Sequence, residues 1–160
     1  MKTFDLNIFK SESTLLSRLG FQLVEDDPSS ALKWSRDDNF SIYIIAERYE
    51  EAFSLELQAP DVEIRGALLP DCLMDAIDPV RAAAAREVIR TFGTGTKGAL
   101  LWWREFLNFL CEREAIVFAN PMDSAVRAKY DAIYQKTMRD AGLWPESPDA
   151  SHDPQKRRGG

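Results

Sequence analysis

Histidine and cysteine are scarce in this chain. Its 160 residues include one histidine, His152, and two cysteines, Cys72 and Cys111. Histidine is the side chain that most readily exchanges a proton near neutral pH, and His152 lies in a polar stretch that is not expected to hold it in register with other groups. The cysteines fall within apolar helical patterns, so we expect both to be buried and reduced. We therefore predict no catalytic residues, no metal site, no cofactor and no enzyme activity.

Long hydrophobic runs are also missing. No apolar stretch approaches the roughly 20 residues that a membrane-spanning helix needs, and Asp5 stands where a signal peptide would have its apolar segment. We expect a cytoplasmic protein with no membrane association. The composition, 45% apolar and 29% charged, is typical of soluble globular proteins. The length suits a single domain at residues 1–144, followed by a polar tail at 145–160 that we expect to be disordered.

Basic residues are few in the N-terminal part of the chain. The first 66 positions contain 13 acidic and 7 basic residues, whereas the remainder contains 13 of each. The whole net charge of −6 therefore lies in the N-terminal part. Carboxylates displayed together on one surface add their fields, which attracts cations. We expect a basic protein partner.

The N-terminal part is predicted to form a short helix and then an antiparallel sheet. Residues 11–20 begin with a serine cap, carry leucines at helical spacing and end at a glycine. Apolar and polar residues then alternate in segments 21–24, 31–35, 40–46 and 52–59, which are separated by turn-forming clusters. We expect a meander of about four strands with one solvated face.

The period of the apolar residues becomes helical from about Leu68. Asp78 and Pro79 predict a new helix start, and the alanines that follow favour helix up to Phe92. Residues 98–113 are too apolar for a helix with one exposed face, so they predict a central core helix. The fold class is therefore α+β, with about four C-terminal helices packed on the sheet.

Two details of these helices are also predicted. In the central helix, we expect one of Trp102 and Trp103 to be core and the other to approach the surface, because neighbours lie about 100° apart around a helix. Asp123 or Ser124 is expected to cap the last helix, which should end near Gly142.

The strongest candidate site is an acidic surface on the predicted sheet. Tyrosines are interleaved with its carboxylates, and tyrosine anchors protein interfaces at low entropic cost. Ordinary solvation of turns is the alternative explanation for such a charge run. The candidate partner-binding residues are Asp37, Asp38, Tyr43, Glu47, Tyr49, Glu50, Glu51 and Glu56. The predicted acidic surface also includes Glu25, Asp26 and Asp27.

A glycine-rich segment offers a second candidate. Gly93, Gly95 and Gly98 match the spacing G-x-G-x-x-G at the start of a helix, where backbone amides are able to hold a phosphate. The dinucleotide motif requires a preceding strand, but the preceding residues predict a helix. We expect these glycines to serve as cap and turn. An enzyme that binds a small ligand or nucleotide through this loop remains an alternative function, as does an adaptor subunit of a larger complex.

Carboxylates also recur at helical spacing in the C-terminal half. Asp71, Asp75 and Asp78 lie on one predicted helix face, and Glu112 and Glu114 flank an arginine. An acid-base or divalent-ion site is conceivable there, but solvated helix faces show the same pattern.

The C-terminus ends in a short basic run followed by two glycines. Residues 156–160 permit a basic patch for nucleic acid, a conjugation terminus like that of ubiquitin-like modifiers, or a solubilising end. Three positive charges are opposed by the acidic bulk of the protein, and a conjugation terminus ordinarily follows a small β-grasp fold. We expect the solubilising role and no nucleic-acid partner.

In size, acidity, missing catalytic groups and helix-plus-meander organisation, the chain resembles the small cytosolic immunity proteins that bacteria pair with polymorphic or contact-dependent toxins. The resemblance covers positions 11–144, through the helix-to-strand entry at 15–21, Trp34, the hairpin at 40–59 and the helix at 98–110. It implies tight one-to-one binding that blocks the active site of a toxin, often a basic nuclease. Acidic groups would then stand in for nucleic-acid phosphates and accelerate association.

Overall fold

A computed structural model describes residues 4–47, 51–60 and 67–143. The predicted site residues Tyr49 and Glu50 and the predicted tail at 145–160 lie outside these residues. The fold is α+β, as predicted: an N-terminal helical segment precedes an antiparallel meander, and C-terminal helices pack against each other and against the sheet.

The N-terminal segment is longer than the sequence pattern indicated. A 3₁₀ helix, Leu6–Glu12, leads directly into helix α1, Ser13–Arg18, and the chain reverses at Gly20 with φ = 88°. The predicted serine cap is wrong. Asp5 caps the 3₁₀ helix by accepting a bond from the Asn7 amide, while the Ser11 hydroxyl donates to a carbonyl within that helix.

The sheet has five antiparallel strands in sequence order. The four predicted strands are present, and a two-residue fifth strand, too short to leave a periodic pattern, extends the sheet at its far edge. The strands are β1 (Gln22–Asp27), β2 (Ala31–Ser35), β3 (Ser41–Ala46), β4 (Phe53–Gln58) and β5 (Ala67–Leu68).

The C-terminal half is helical, but its first helix begins at Pro70 rather than at Leu68, which lies in β5. Asp78 caps the second of these helices, and Asp123 caps the last, both as predicted. Within the described ranges, no helix is long and apolar enough to cross a membrane. The helices are α2 (Pro70–Ile77), α3 (Pro79–Phe92), α4 (Thr96–Glu112), α5 (Glu114–Val117) and α6 (Ser124–Asp140).

The core lies between the inner face of the sheet and the helices. Trp103 of α4 is fully buried, and its indole N–H donates to the Phe9 carbonyl of the 3₁₀ helix at 3.0 Å. Its ring also lies 5.9 Å from that of Trp34 on β2, so one side chain joins three elements. Trp102 is 8% exposed and also belongs to the core, so both indoles are buried, not one of them as the helical spacing predicted.

Candidate protein-binding surface

The outer face of the sheet carries a row of four residues that spans four strands. Glu25 on β1 pairs with Lys33 on β2, Lys33 pairs with Tyr43 on β3, and Tyr43 pairs with Glu56 on β4. The next row along the strands contains Asp27, Ala31, Ile45 and Ser54. We call the surface formed by Glu25, Asp27, Lys33, Tyr43, Ile45 and Glu56 the open face.

Helices cover only the other side of the sheet in the described part of the chain. Ile42 and Ile44, which flank Tyr43 in sequence, are completely buried in the core, because successive strand residues point to opposite faces. On the open face, Lys33, Tyr43 and Glu56 are only partly buried, and Ile45 is 37% exposed. The open face is therefore an accessible surface with polar and apolar groups side by side.

Tyr43 is the centre of the open face. The Lys33 ammonium lies 5.9 Å from the centroid of its ring, a cation–π contact. Partial desolvation, together with the charge and hydrogen bond of Glu25 and the charge of Glu56, raises the pKa of the Tyr43 hydroxyl. The Tyr43 hydroxyl therefore lies between two carboxylates, those of Glu25 and Glu56.

Glu47 and Glu51 lie at one end of the open face, in the connection between β3 and β4. The Glu47 amide donates to the Ala52 carbonyl at 2.9 Å, which fixes where this connection leaves the sheet. Glu51 is exposed and Glu47 is half-buried. We call these two residues the acidic rim.

Asp37 and Asp38 lie at the opposite end of the sheet, in the turn between β2 and β3. Six strand residues at about 3.3 Å each put roughly 20 Å between this turn and the acidic rim. Asp38 is held by a bidentate bond from Arg36, with both distances 3.1 Å, and the guanidinium stacks on Phe118 at 4.0 Å. The structure therefore does not bring Asp37 and Asp38 together with Glu47 and Glu51.

The three acidic residues of β1 divide between the two sides of the sheet. Pairing shifts by one residue between Leu23 and Glu25, and this bulge directs Glu25 and Asp27 to the open face. Asp26 instead forms an ion pair with Lys10 of the 3₁₀ helix at 2.6 Å. Strand alternation in β2 would have identified Lys33 as a further surface residue, but the sequence interpretation did not include it.

The glycine segment joins α3 to α4, as predicted for a cap and turn. Gly93 ends α3 with φ = 81°, and Gly95 precedes the first residue of α4. The element before the segment is a helix, so the strand that the dinucleotide motif requires is not there. The segment has the geometry of a helix–helix junction.

Of the candidate carboxylates in the helical half, all but Asp71 are paired with arginines. Arg81 bridges Glu105 and Glu112, so it ties α3 to α4, and Asp75 accepts from Arg86 at 2.9 Å. Asp78 caps α3 and also pairs with Arg113. Glu114 lies 4.0 Å from Arg36. Among the residues that the structure describes, no three histidine, cysteine, aspartate or glutamate side chains gather as metal ligands.

No protein-family model matches this chain, and neither the curated proteins nor the solved structures searched include a significant match.

Proposed function

We propose that this protein binds and neutralises a basic protein partner through the open face and the acidic rim. In its most specific form, the protein is an immunity protein that blocks a cognate toxin, such as a nuclease. The proposal rests on one observation: the sheet leaves a whole face without a described helix on it, and that face carries acidic groups around a central tyrosine.

The charge of the sheet region favours a cationic partner. Among its described residues from 21 to 60, eight side chains are acidic and only two, Lys33 and Arg36, are basic. Arg36 is engaged with Asp38 and Phe118, so Lys33 is the one described basic residue of this region that lies on the open face. Complementary charge steers diffusional encounter and increases association rates, especially at low salt.

The apolar groups of the open face would supply the binding affinity that charge alone does not provide. Tyr43 and Ile45 lie on the same strand and point to the same side, two residues apart. Interface affinity is concentrated in a few desolvated anchor residues, among which tyrosine is enriched, whereas charges at the margin act mainly on the association rate. We therefore assign the anchor role to Tyr43 and the steering role to Glu25, Glu56 and the acidic rim.

Neutralisation in cells tests this function. The reading frame immediately upstream of the gene for this chain is expressed from an inducible promoter, alone and together with this protein. We expect the upstream product to arrest growth and the protein to restore it. The charge-reversal variant Glu25→Lys/Glu56→Lys is expected to protect poorly at matched expression.

A matched control variant separates the effect of where the reversed charges lie from the effect of the change in net charge. Glu87 and Asp140 lie on α3 and α6, away from the sheet, and both are exposed. Glu87→Lys/Asp140→Lys changes the net charge by the same amount and should still protect. The proposal is wrong if the upstream product is harmless and does not bind this protein, or if both variants protect like the wild type.

A further inference from the structure

A cleft lies on the helical side of the molecule, where β4 meets the ends of several helices. Its volume is about 410 Å³, within the ~300–1,000 Å³ range of small-molecule sites. Phe53 and Leu55 of β4 form one wall, and Ala99 and Trp102 of α4 form another. The remaining lining residues are Ala52, Leu69, Pro70, Asp71, Cys72, Ile89, Thr94 and Thr137.

The cleft lining is mainly apolar and contains one charged residue. Phe53 and Trp102 present aromatic rings whose centroids lie 6.4 Å apart. Among the described residues, Asp71, in the first turn of α2, is the only carboxylate in the lining, and no described lysine, arginine or histidine lines the cleft. The basic residue closest in sequence to Thr94, Lys97, has its ammonium 4.8 Å from the Phe92 ring.

The Asp71 carboxylate is only partly used within the protein. One oxygen, Oδ1, accepts from the Trp102 indole N–H at 3.3 Å, which orients the carboxylate against the aromatic wall. The neighbouring Arg86 is engaged by Asp75 at 2.9 Å. Asp71 is exposed as a residue, but partial desolvation of its carboxyl group raises its pKa, whereas the Trp102 bond and the Arg86 charge act in the opposite direction. The second oxygen has no hydrogen-bond partner among the described residues.

We propose that this cleft binds a small organic cation, with an apolar ring or chain against Phe53 and Trp102 and an ammonium group at Asp71. A carboxylate beside an aromatic face suits an ammonium group, because both the ion pair and the ring quadrupole attract positive charge. An anionic head group would meet Asp71 with no basic side chain among the described lining residues to balance it. This site is separate from the open face and does not depend on it.

Three probes of similar shape and different charge test the proposal: phenethylammonium, phenethyl alcohol and hydrocinnamate. Each is titrated into the full chain at neutral pH by isothermal calorimetry and by two-dimensional NMR of the indole N–H groups. The Trp102 signal is assigned with Trp102→Phe. We expect phenethylammonium to bind at least tenfold more tightly than the alcohol and to move the Trp102 signal, and hydrocinnamate to bind most weakly.

Three variants locate the binding. Asp71→Asn should reduce the affinity for phenethylammonium to that for the alcohol, whereas Glu114→Gln, which removes an exposed carboxylate of α5 outside the lining, should leave the preference intact. Thr137→Phe places a ring at the exposed edge of the cleft and should weaken both ligands. Equal affinities for the cation and the anion, or a cation preference that survives Asp71→Asn in a folded protein, would overturn the proposal, as would no binding of phenethylammonium.

Discussion

Replacement of Gly98 by alanine tests whether the glycine segment is a structural junction. Alanine in place of glycine within a helix normally stabilises the helix by about 1 kcal/mol. Gly98 is the third residue of α4, but a Cβ built there would overlap the Gly93 carbonyl oxygen and lie 2.9 Å from its carbonyl carbon. The obstructing atoms are backbone, so a rotamer change cannot relieve the contact. Gly98→Ala should therefore destabilise the protein, although the same substitution in most helices is stabilising.

The magnitude follows from these two opposing effects. Overpacking in a well-packed region costs typically about 1–3 kcal/mol, and a backbone obstruction belongs at the upper end of that range. After the helix-propensity gain is subtracted, we expect Gly98→Ala to reduce the free energy of unfolding by about 2 kcal/mol. For a chain of this length, that corresponds to a fall in Tm of roughly 4–8 °C.

Urea unfolding followed by tryptophan fluorescence and by circular dichroism measures this loss. Gly95→Ala is the matched control, because a Cβ at Gly95 has no atom within 4 Å and its φ is −74°. The free energy of unfolding of that variant should fall by less than about 1 kcal/mol, which is the typical effect of changing an N-cap residue. Unchanged or increased stability of Gly98→Ala would refute the close approach of Gly98 to Gly93.

Three further predictions concern stability. Trp103→Ala should cost about 3–5 kcal/mol in denaturant unfolding, because it empties a fully buried site and leaves the Phe9 carbonyl without its donor. Burial raises the pKa of Tyr130 to about 12, so this tyrosine ionises at lower pH in the unfolded chain than in the folded protein. Its contribution to the free energy of unfolding is complete below pH 10 and should be lost between pH 10 and about 12. The loss should be less steep in Tyr130→Phe. Asp123→Ala should cost about 1 kcal/mol and Asp131→Ala less, because only Asp123 caps α6.

Much of the fold could be predicted because the sequence patterns are local and strong. In β3, the alternation of side chains separates Ile42 and Ile44 from Tyr43. The structure buries the two isoleucines and leaves Tyr43 partly accessible. The starts of α3 and α6 coincide with aspartates at a cap position, which satisfy amides that a helix start leaves free.

The unpredicted elements depend on contacts distant in sequence. The 3₁₀ helix at Leu6–Glu12 is held by Trp103, which accounts for a helix where no helical periodicity is evident. The bulge in β1 is a matter of register with β2, and register is set by the partner strand rather than by the strand itself. The ion pairs that engage the carboxylates of α2 and α4 likewise depend on how the helices pack.

Part of the candidate surface could have been placed better from the sequence. Successive turns of a meander lie at alternate ends of the sheet, so Asp37 and Asp38 and the connection after β3 were bound to be separated. The division of Asp26 from Glu25 and Asp27 could not be foreseen, because it follows from the bulge and from the position of Lys10.

The association rate constant of the upstream gene product with this protein tests the central claim most directly. Stopped-flow measurements at about 0.02 M and about 0.15 M ionic strength compare the wild type with Glu25→Lys/Glu56→Lys and with Glu87→Lys/Asp140→Lys. We predict that the wild type binds rapidly and loses rate as salt increases, and that the open-face variant binds at least about tenfold more slowly at low salt. Unfolding free energies should change by only about 0.5 kcal/mol per substitution. Equal rates and equal salt dependence in all three proteins would contradict the assignment of the open face as the binding surface.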